Sequence, residues 1–299
     1  MTTLGAQRLA PLCDGSHAGC RCPILQRRSH LKPRPQAPAR YWASSKSLFN
    51  SSFSSKPTCQ HAQRRRAAAA TRAALEPDNA SILVCGGGGI ALEVTRKLKD
   101  MGAWVWMLQR SESRRSEIEG MNAILVRGDA MSVPDVEKAF GQIEEVEAVI
   151  STIGGTPANP KADSEGNMNL IRQAAKSGVK KFILVTSIGT GDSKDAPPEQ
   201  VYNVLKPVLE EKTKAENLLK EKSGGMTFTI IRPGGLKSEP ASGNGVLTEN
   251  NKVCGAINRE DAAGLIVRAL FSDNADDKVL SAVDSKQLFG QPAYDTFTL

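Results

Sequence analysis

The chain has 299 residues and a formal net charge of +7, but that charge is unevenly divided. Of its 39 Lys and Arg, 13 fall within residues 1–75 against a single acid, Asp14, so the remainder carries 26 basic and 31 acidic side chains. The basic excess belongs to the leader and gives no reason to expect nucleic-acid binding by residues 75–299. All three histidines (His17, His30, His61) and four of the six cysteines (Cys13, Cys20, Cys22, Cys59) lie in the leader too. The remainder keeps only Cys85 and Cys254, so Ser-His or Cys-His catalysis, His-ligated zinc and a disulfide framework are all excluded there. No metal site is expected, and no run approaches the 18 apolar residues of a membrane span.

Residues 1–74 are rich in Arg, Ser and Ala, almost lack acid, and end in RRRAAAATRAA. This is the composition of a cleavable organelle transit peptide, expected to be disordered. The Ser-rich stretch 44–55 precedes the Arg-rich one, which favours a chloroplast over a mitochondrion. Residues 75–299 are expected to form one domain with a sizeable core.

From Ser81, short apolar runs alternate with helical patterns. Ser81–Cys85 predicts a first strand, ended by four glycines, and Ala91–Asp100 a helix stopped by Gly102. Trp104–Leu108 is the second run, with core packing expected for Trp104 and Trp106. Ala123–Val126 follows, then a helix through Val136–Phe140 and a strand at Val146–Ile150. Asn167–Ser177 predicts a helix, Phe182–Val185 a strand, Val208–Lys222 a longer helix, Phe228–Ile231 a strand and Asp261–Phe271 a last helix. This order predicts an α/β fold: a doubly wound parallel sheet of the Rossmann type, as a single domain with a small C-terminal substrate or partner region.

Gly86-Gly87-Gly88-Gly89-Ile90-Ala91 fits G-x-G-x-x-[G/A] between a strand and a helix. The first glycine allows a tight turn, the second lets backbone approach a pyrophosphate, and the small Ala91 permits helix–strand packing. A pyrophosphate would rest on the free amides at the helix start. The second strand ends Leu108-Gln109-Arg110, without the acid that holds the ribose 2′-hydroxyl of NAD. Arg110 instead suits the 2′-phosphate of NADP, with Arg114 and Arg115 as helpers. NADP is therefore the expected cofactor ahead of NAD.

These residues, with Gly128-Asp129, the run from Gly166 to Gly189 (GNMNLIRQAAKSGVKKFILVTSIG) and the segment Lys212–Leu236 (KTKAENLLKEKSGGMTFTIIRPGGL), resemble the atypical short-chain dehydrogenase/reductases. The NmrA-like branch of plants, algae and cyanobacteria is the most similar. The resemblance covers roughly residues 81–285. It implies that Asp129 lies by the adenine, that Ile153 and Gly154 line the dinucleotide, and that Thr186 and Ser187 occupy the serine position. It also implies that Lys212 touches the nicotinamide ribose and that Pro233, Gly234 and Gly235 flank the nicotinamide. Two departures stand out. The last glycine of the family's loop has no match here, and four residues before Lys212, where active members carry tyrosine, stands Val208. A literal Y-x-x-x-K falls at Tyr202–Lys206, but Pro207 after it predicts a helix that begins only there. Lys212, Ser187 and Tyr202 are the candidate catalytic residues.

The resemblance implies an NADP(H)-binding plastid protein, stromal or peripheral to the thylakoid. Two readings stay open. One is a reductase of a small metabolite; the other is a non-catalytic redox sensor or thylakoid-complex assembly factor with a protein partner.

Overall fold

A computed structural model describes residues 75–290 and 293–299. The transit segment expected over 1–74 lies outside the described residues. The elements follow as β1 (Ser81–Cys85), α1 (Gly89–Asp100), β2 (Trp104–Gln109), α2 (Arg115–Gly120), β3 (Ile124–Arg127), α3 (Val133–Gly141), β4 (Ala148–Ser151) and α4 (Asn167–Lys176). Then come β5 (Lys181–Val185), α5 (Glu199–Glu221), β6 (Thr227–Pro233), β7 (Gly235–Lys237), β8 (Gly245–Thr248), β9 (Ala256–Asn258), α6 (Arg259–Leu270) and β10 (Lys278–Asp284).

The main sheet has the order β3-β2-β1-β4-β5-β6-β10-β8, parallel except for β8, which runs antiparallel to β10. β1 shows how the sequence dictates both faces. Ile82 and Val84 enter one core with residues of α1 and α6, while Leu83 and Cys85 enter the other with residues of α3, α4 and α5. Successive strand side chains point to opposite faces, so a strand covered on both must be apolar throughout. Helix α1 buries Ile90, Ala91, Leu92, Val94 and Leu98, each large side chain contributing about 1.5–3 kcal/mol. The chain leaves β1 toward β2 on one side and reaches β4 on the other, which opens a crevice at the carboxyl ends of these two strands.

The expected Rossmann architecture is present, with three local differences. Helix α5 begins at Glu199, not near Val208, and carries Pro207 inside it. Both Pro207 and Asn203, whose carbonyl loses its helical donor, are exposed, so water takes over the missing bond. The C-terminal region is partly built into the main sheet, since β10 pairs with β6 and β8 flanks β10. Its last residues close the β8 edge: the Phe297 amide donates to the Leu247 carbonyl at 2.7 Å, and Tyr294 packs on the cluster of Ile188, Val253 and Val283. Trp104, expected in the core, is 52% exposed at the start of β2, with the Lys99 ammonium 5.5 Å from its ring centre.

Candidate functional site

The glycine loop fills the turn from β1 into α1. Gly86 has φ +128°, and a Cβ there would stand 2.4 Å from Thr152 Oγ1 at the end of β4. Only glycine satisfies both limits. Gln109, closing β2, turns its side chain back into this loop: Nε2 donates to the Gly86 carbonyl at 2.5 Å, and Oε1 stands 2.6 Å from the point where a Gly87 Cβ would be. Gly88 caps α1 with no side-chain acceptor, and the first turn holds no acid. The leading amides of α1 are thus left without a side-chain acceptor at the cap. Ala91 is fully buried between helix and sheet, in the packing role its size predicts, while Cys85 is a core residue whose thiol pKa is pushed up by burial.

Beside this loop a cavity of about 480 Å³ is lined by Gly86, Gly87 and Gly88, by Arg110, Ser111, Ser113 and Arg114, and by Asp129, Ile153 and Gly154. Arg110 is exposed and forms no ion pair among the described residues. Of the two expected helpers Arg114 lines the cavity, itself 3.5 Å from Glu117, whereas Arg115 does not line it and stands 3.2 Å from Glu112 and 2.7 Å from Glu119. Asp129 shapes its own turn, accepting the Met131 amide at 3.0 Å.

A second cavity of about 290 Å³ adjoins the first, sharing Thr152 and Gly154. Ile90, Thr186, Ser187, Val208, Lys212 and Pro233 are among its walls. Lys212 Nζ lies 2.6 Å from Asp163 Oδ1, the lysine side chain 10% exposed and the aspartate 0%. Asp163 sits on a π-helical turn, Ala162–Gly166, that runs straight into α4. Its Oδ2 accepts the Gly155 amide at 2.6 Å, and its carbonyl accepts Asn167 Nδ2 at 2.8 Å. Ser151 Oγ in turn donates to Asn167 Oδ1 at 2.5 Å. A single turn of π-helix is rare and often marks a functional position; here it delivers a carboxylate to the lysine.

The remaining candidates divide. Val208 is buried and faces the second cavity, whereas Tyr202 does not line either one. Ser187 Oγ donates to the Ile188 carbonyl and Thr186 Oγ1 to Glu216 Oε1 at 2.8 Å. Gly234 and Gly235, expected beside a nicotinamide, line neither cavity. A Cβ on Gly234 would stand 2.3 Å from the Gly255 carbonyl oxygen, and the Gly235 amide donates to that same oxygen. The small size of Gly234 serves the close approach of the chain before β7 to Gly255, whereas a Cβ on Gly235 would meet only ordinary contacts, the nearest at 3.8 Å.

The K-x-K-A-E and I-I-R-P-G-G segments meet through a buried pair. Arg232 Nε and Nη2 grip the two oxygens of Glu216 at 3.0 and 2.6 Å, and Nη1 reaches Asp192 at 2.5 Å. Burial alone would lower the Arg232 pKa, but the Glu216 and Asp192 carboxylates raise it above the ordinary arginine value. The pair bolts α5 to β6 and so fixes the helix that carries Lys212.

A family model described as NAD(P)H-binding matches residues 86–273. The chain belongs to this NAD(P)H-binding family. The match begins at Gly86 and takes in both cavities, and the resemblance to atypical, NmrA-like dehydrogenase/reductases agrees with it. An uncharacterized chloroplastic protein of Arabidopsis thaliana is 34% identical over 170 residues, 53% of this chain and 59% of that protein. The match to that relative thus spans little more than half its length. The photosystem II assembly factor Ycf39 of Synechocystis is 27% identical over 212 residues, 69% of this chain and 63% of that factor. Among solved structures, ChuY, an anaerobillin reductase of Escherichia coli O157:H7, superposes with a TM-score of 0.62 at 25% identity, covering 71% of this chain and all of that one.

Proposed function

We propose that this chain is an NADP(H)-binding protein of plastids that carries out no tyrosine-dependent carbonyl chemistry and acts through its dinucleotide-bound state. The dinucleotide would lie along the joined cavities with its pyrophosphate at Gly86–Ile90, its adenine end near Asp129 and its nicotinamide near Thr186, Ser187 and Pro233. NADP would be preferred, since Arg110 forms no ion pair among the described residues and faces the cavity with Arg114, Ser111 and Ser113, while Gln109 is turned into the glycine loop. A guanidinium matches a 2′-phosphate in charge and in the geometry of its donors.

The observation that carries the non-carbonyl reading is Val208 at the wall of the second cavity, beside a lysine already bound by Asp163. A carbonyl reductase must deliver a proton within hydrogen-bond reach of the developing alkoxide. Val208 has none to give, and the Lys212 ammonium is already turned onto Asp163. The plastid assignment rests on the composition of residues 1–74 and on the chloroplastic relative. The Ycf39 likeness supports a role in assembling other proteins.

A second reading is a reductase of a conjugated acceptor that takes its proton from water. The likeness to an anaerobillin reductase favours it. Titration with NADPH and NADH, followed by NADPH oxidation with carbonyls, quinones and linear tetrapyrroles, separates the readings. Tight NADPH binding with no turnover supports the first, turnover of conjugated acceptors alone supports the second, and turnover of simple carbonyls overturns both.

A further inference from the structure

Arg259 is the first residue of α6, and its stem lies across the start of α1. A Cβ on Gly89 would stand 2.8 Å from Arg259 Cδ and 3.5 Å from its Nε. The guanidinium uses one nitrogen, Nη1, to reach Ser238 Oγ at 2.6 Å and the Leu236 carbonyl at 3.5 Å. Nε and Nη2 make no hydrogen bond among the described residues, and Arg259 has no ion pair there. The neighbouring acids are turned away: Asp261 accepts the amides of Ser242 and Gly243, and Glu260 that of Ala241. An uncompensated guanidinium thus has its free Nε against the residue whose amide opens α1.

We propose that Arg259 is a ligand of the dinucleotide pyrophosphate, donating from Nε and Nη2 while Nη1 keeps hold of the β7 segment. The inference rests on the dinucleotide reading of the glycine loop. Uncapped amides supply only partial positive charge, and a pyrophosphate carries two full negative ones. Arg259 is the cation that the structure sets against Gly89, and a forked guanidinium suits two phosphate oxygens. Because Leu236 lines the second cavity, the same side chain links phosphate occupancy to one wall of that cavity.

The test uses the full chain with three probes: NADPH, ADP-ribose, and adenosine 2′-monophosphate, which lacks the pyrophosphate. Arg259→Met keeps a stem over Gly89 and removes the charge, and Arg259→Ala removes both. Each is expected to weaken NADPH and ADP-ribose about tenfold or more, about 1.4 kcal/mol, and to leave adenosine 2′-monophosphate unchanged. Arg259→Lys is expected to fall between Arg259→Met and the wild type. NADPH affinity within twofold of wild type in Arg259→Met overturns the proposal, and so does equal weakening of all three probes. Failure of the wild type to bind NADPH or ADP-ribose overturns the dinucleotide reading itself, and the wild-type titration reads that first.

Discussion

Lys212, in the wall of the second cavity, forms an ion pair with Asp163, Nζ to Oδ1 at 2.6 Å, with the aspartate fully buried and the lysine nearly so. The partner comes from a π-helical turn before α4, far from the lysine in sequence. A buried charge deprived of its partner costs several kcal/mol, more than the net gain of making the pair. Asp163→Asn is therefore expected to destabilise the apo protein by about 3–5 kcal/mol, a fall in Tm on the order of 10 °C for a domain of this size. Adding Lys212→Met should recover much of the loss. Thermal unfolding of the single and double variants checks this, and a single variant melting like wild type would contradict the buried pair.

Arg110 faces the larger of the two joined cavities and forms no ion pair among the described residues. If it holds a 2′-phosphate, Arg110→Ala removes a charged hydrogen bond worth about 1.5–3 kcal/mol, roughly a 10–100-fold loss of NADPH affinity. NADH affinity should not change. Fluorescence titration with both nucleotides reads the difference, and parallel losses would place Arg110 outside the phosphate site.

Glu216 carries a bidentate hydrogen-bonded pair with Arg232 and also accepts from Thr186. Glu216→Ala leaves a buried guanidinium without its main partner, so unfolding should become easier by about 3–5 kcal/mol. The double variant Glu216→Leu with Arg232→Met is expected to be more stable than Glu216→Ala, because both charges leave together. Urea unfolding of the variants tests the order; a single variant as stable as the double one would refute it.

Acid should release a second tie. Burial raises the Glu147 pKa, but the Lys180 ammonium at 2.6 Å and the Ser81 amide outweigh it, and the carboxyl is held below its ordinary value of 4.5. A depressed folded pKa stabilises the native state fully above the unfolded value and loses that contribution as pH falls through the folded value. The wild type should therefore lose stability below about pH 4.5 more steeply than Glu147→Gln, which lacks the titrating group. Chemical denaturation at neutral pH and at about pH 3.5 compares the slopes, and identical slopes would remove Glu147 from the account.

Much of the site was legible in the residues. The strand–glycine–helix context marks the loop because only glycine tolerates the Gly86 backbone and its approach to Thr152. Arg110 was visible as the residue just past β2. Pro207 suggests a helix that begins there, and the exposure of Asn203 and Pro207 explains why α5 instead runs through it. Gly234 has a packing role that no motif announces, its missing Cβ making room for the Gly255 carbonyl.

The sequence by itself determined the parallel α/β sheet, the position of the glycine loop and the absence of tyrosine four residues before Lys212. These are local properties of spacing, side-chain size and backbone freedom. Only the tertiary structure decided what each polar side chain meets: Asp163 on Lys212, Gln109 on Gly86, Glu216 on Arg232 and Arg259 over Gly89. Such partners come from separate elements, and they are fixed by how the crossovers stack helices against the sheet, which no periodicity along the chain encodes.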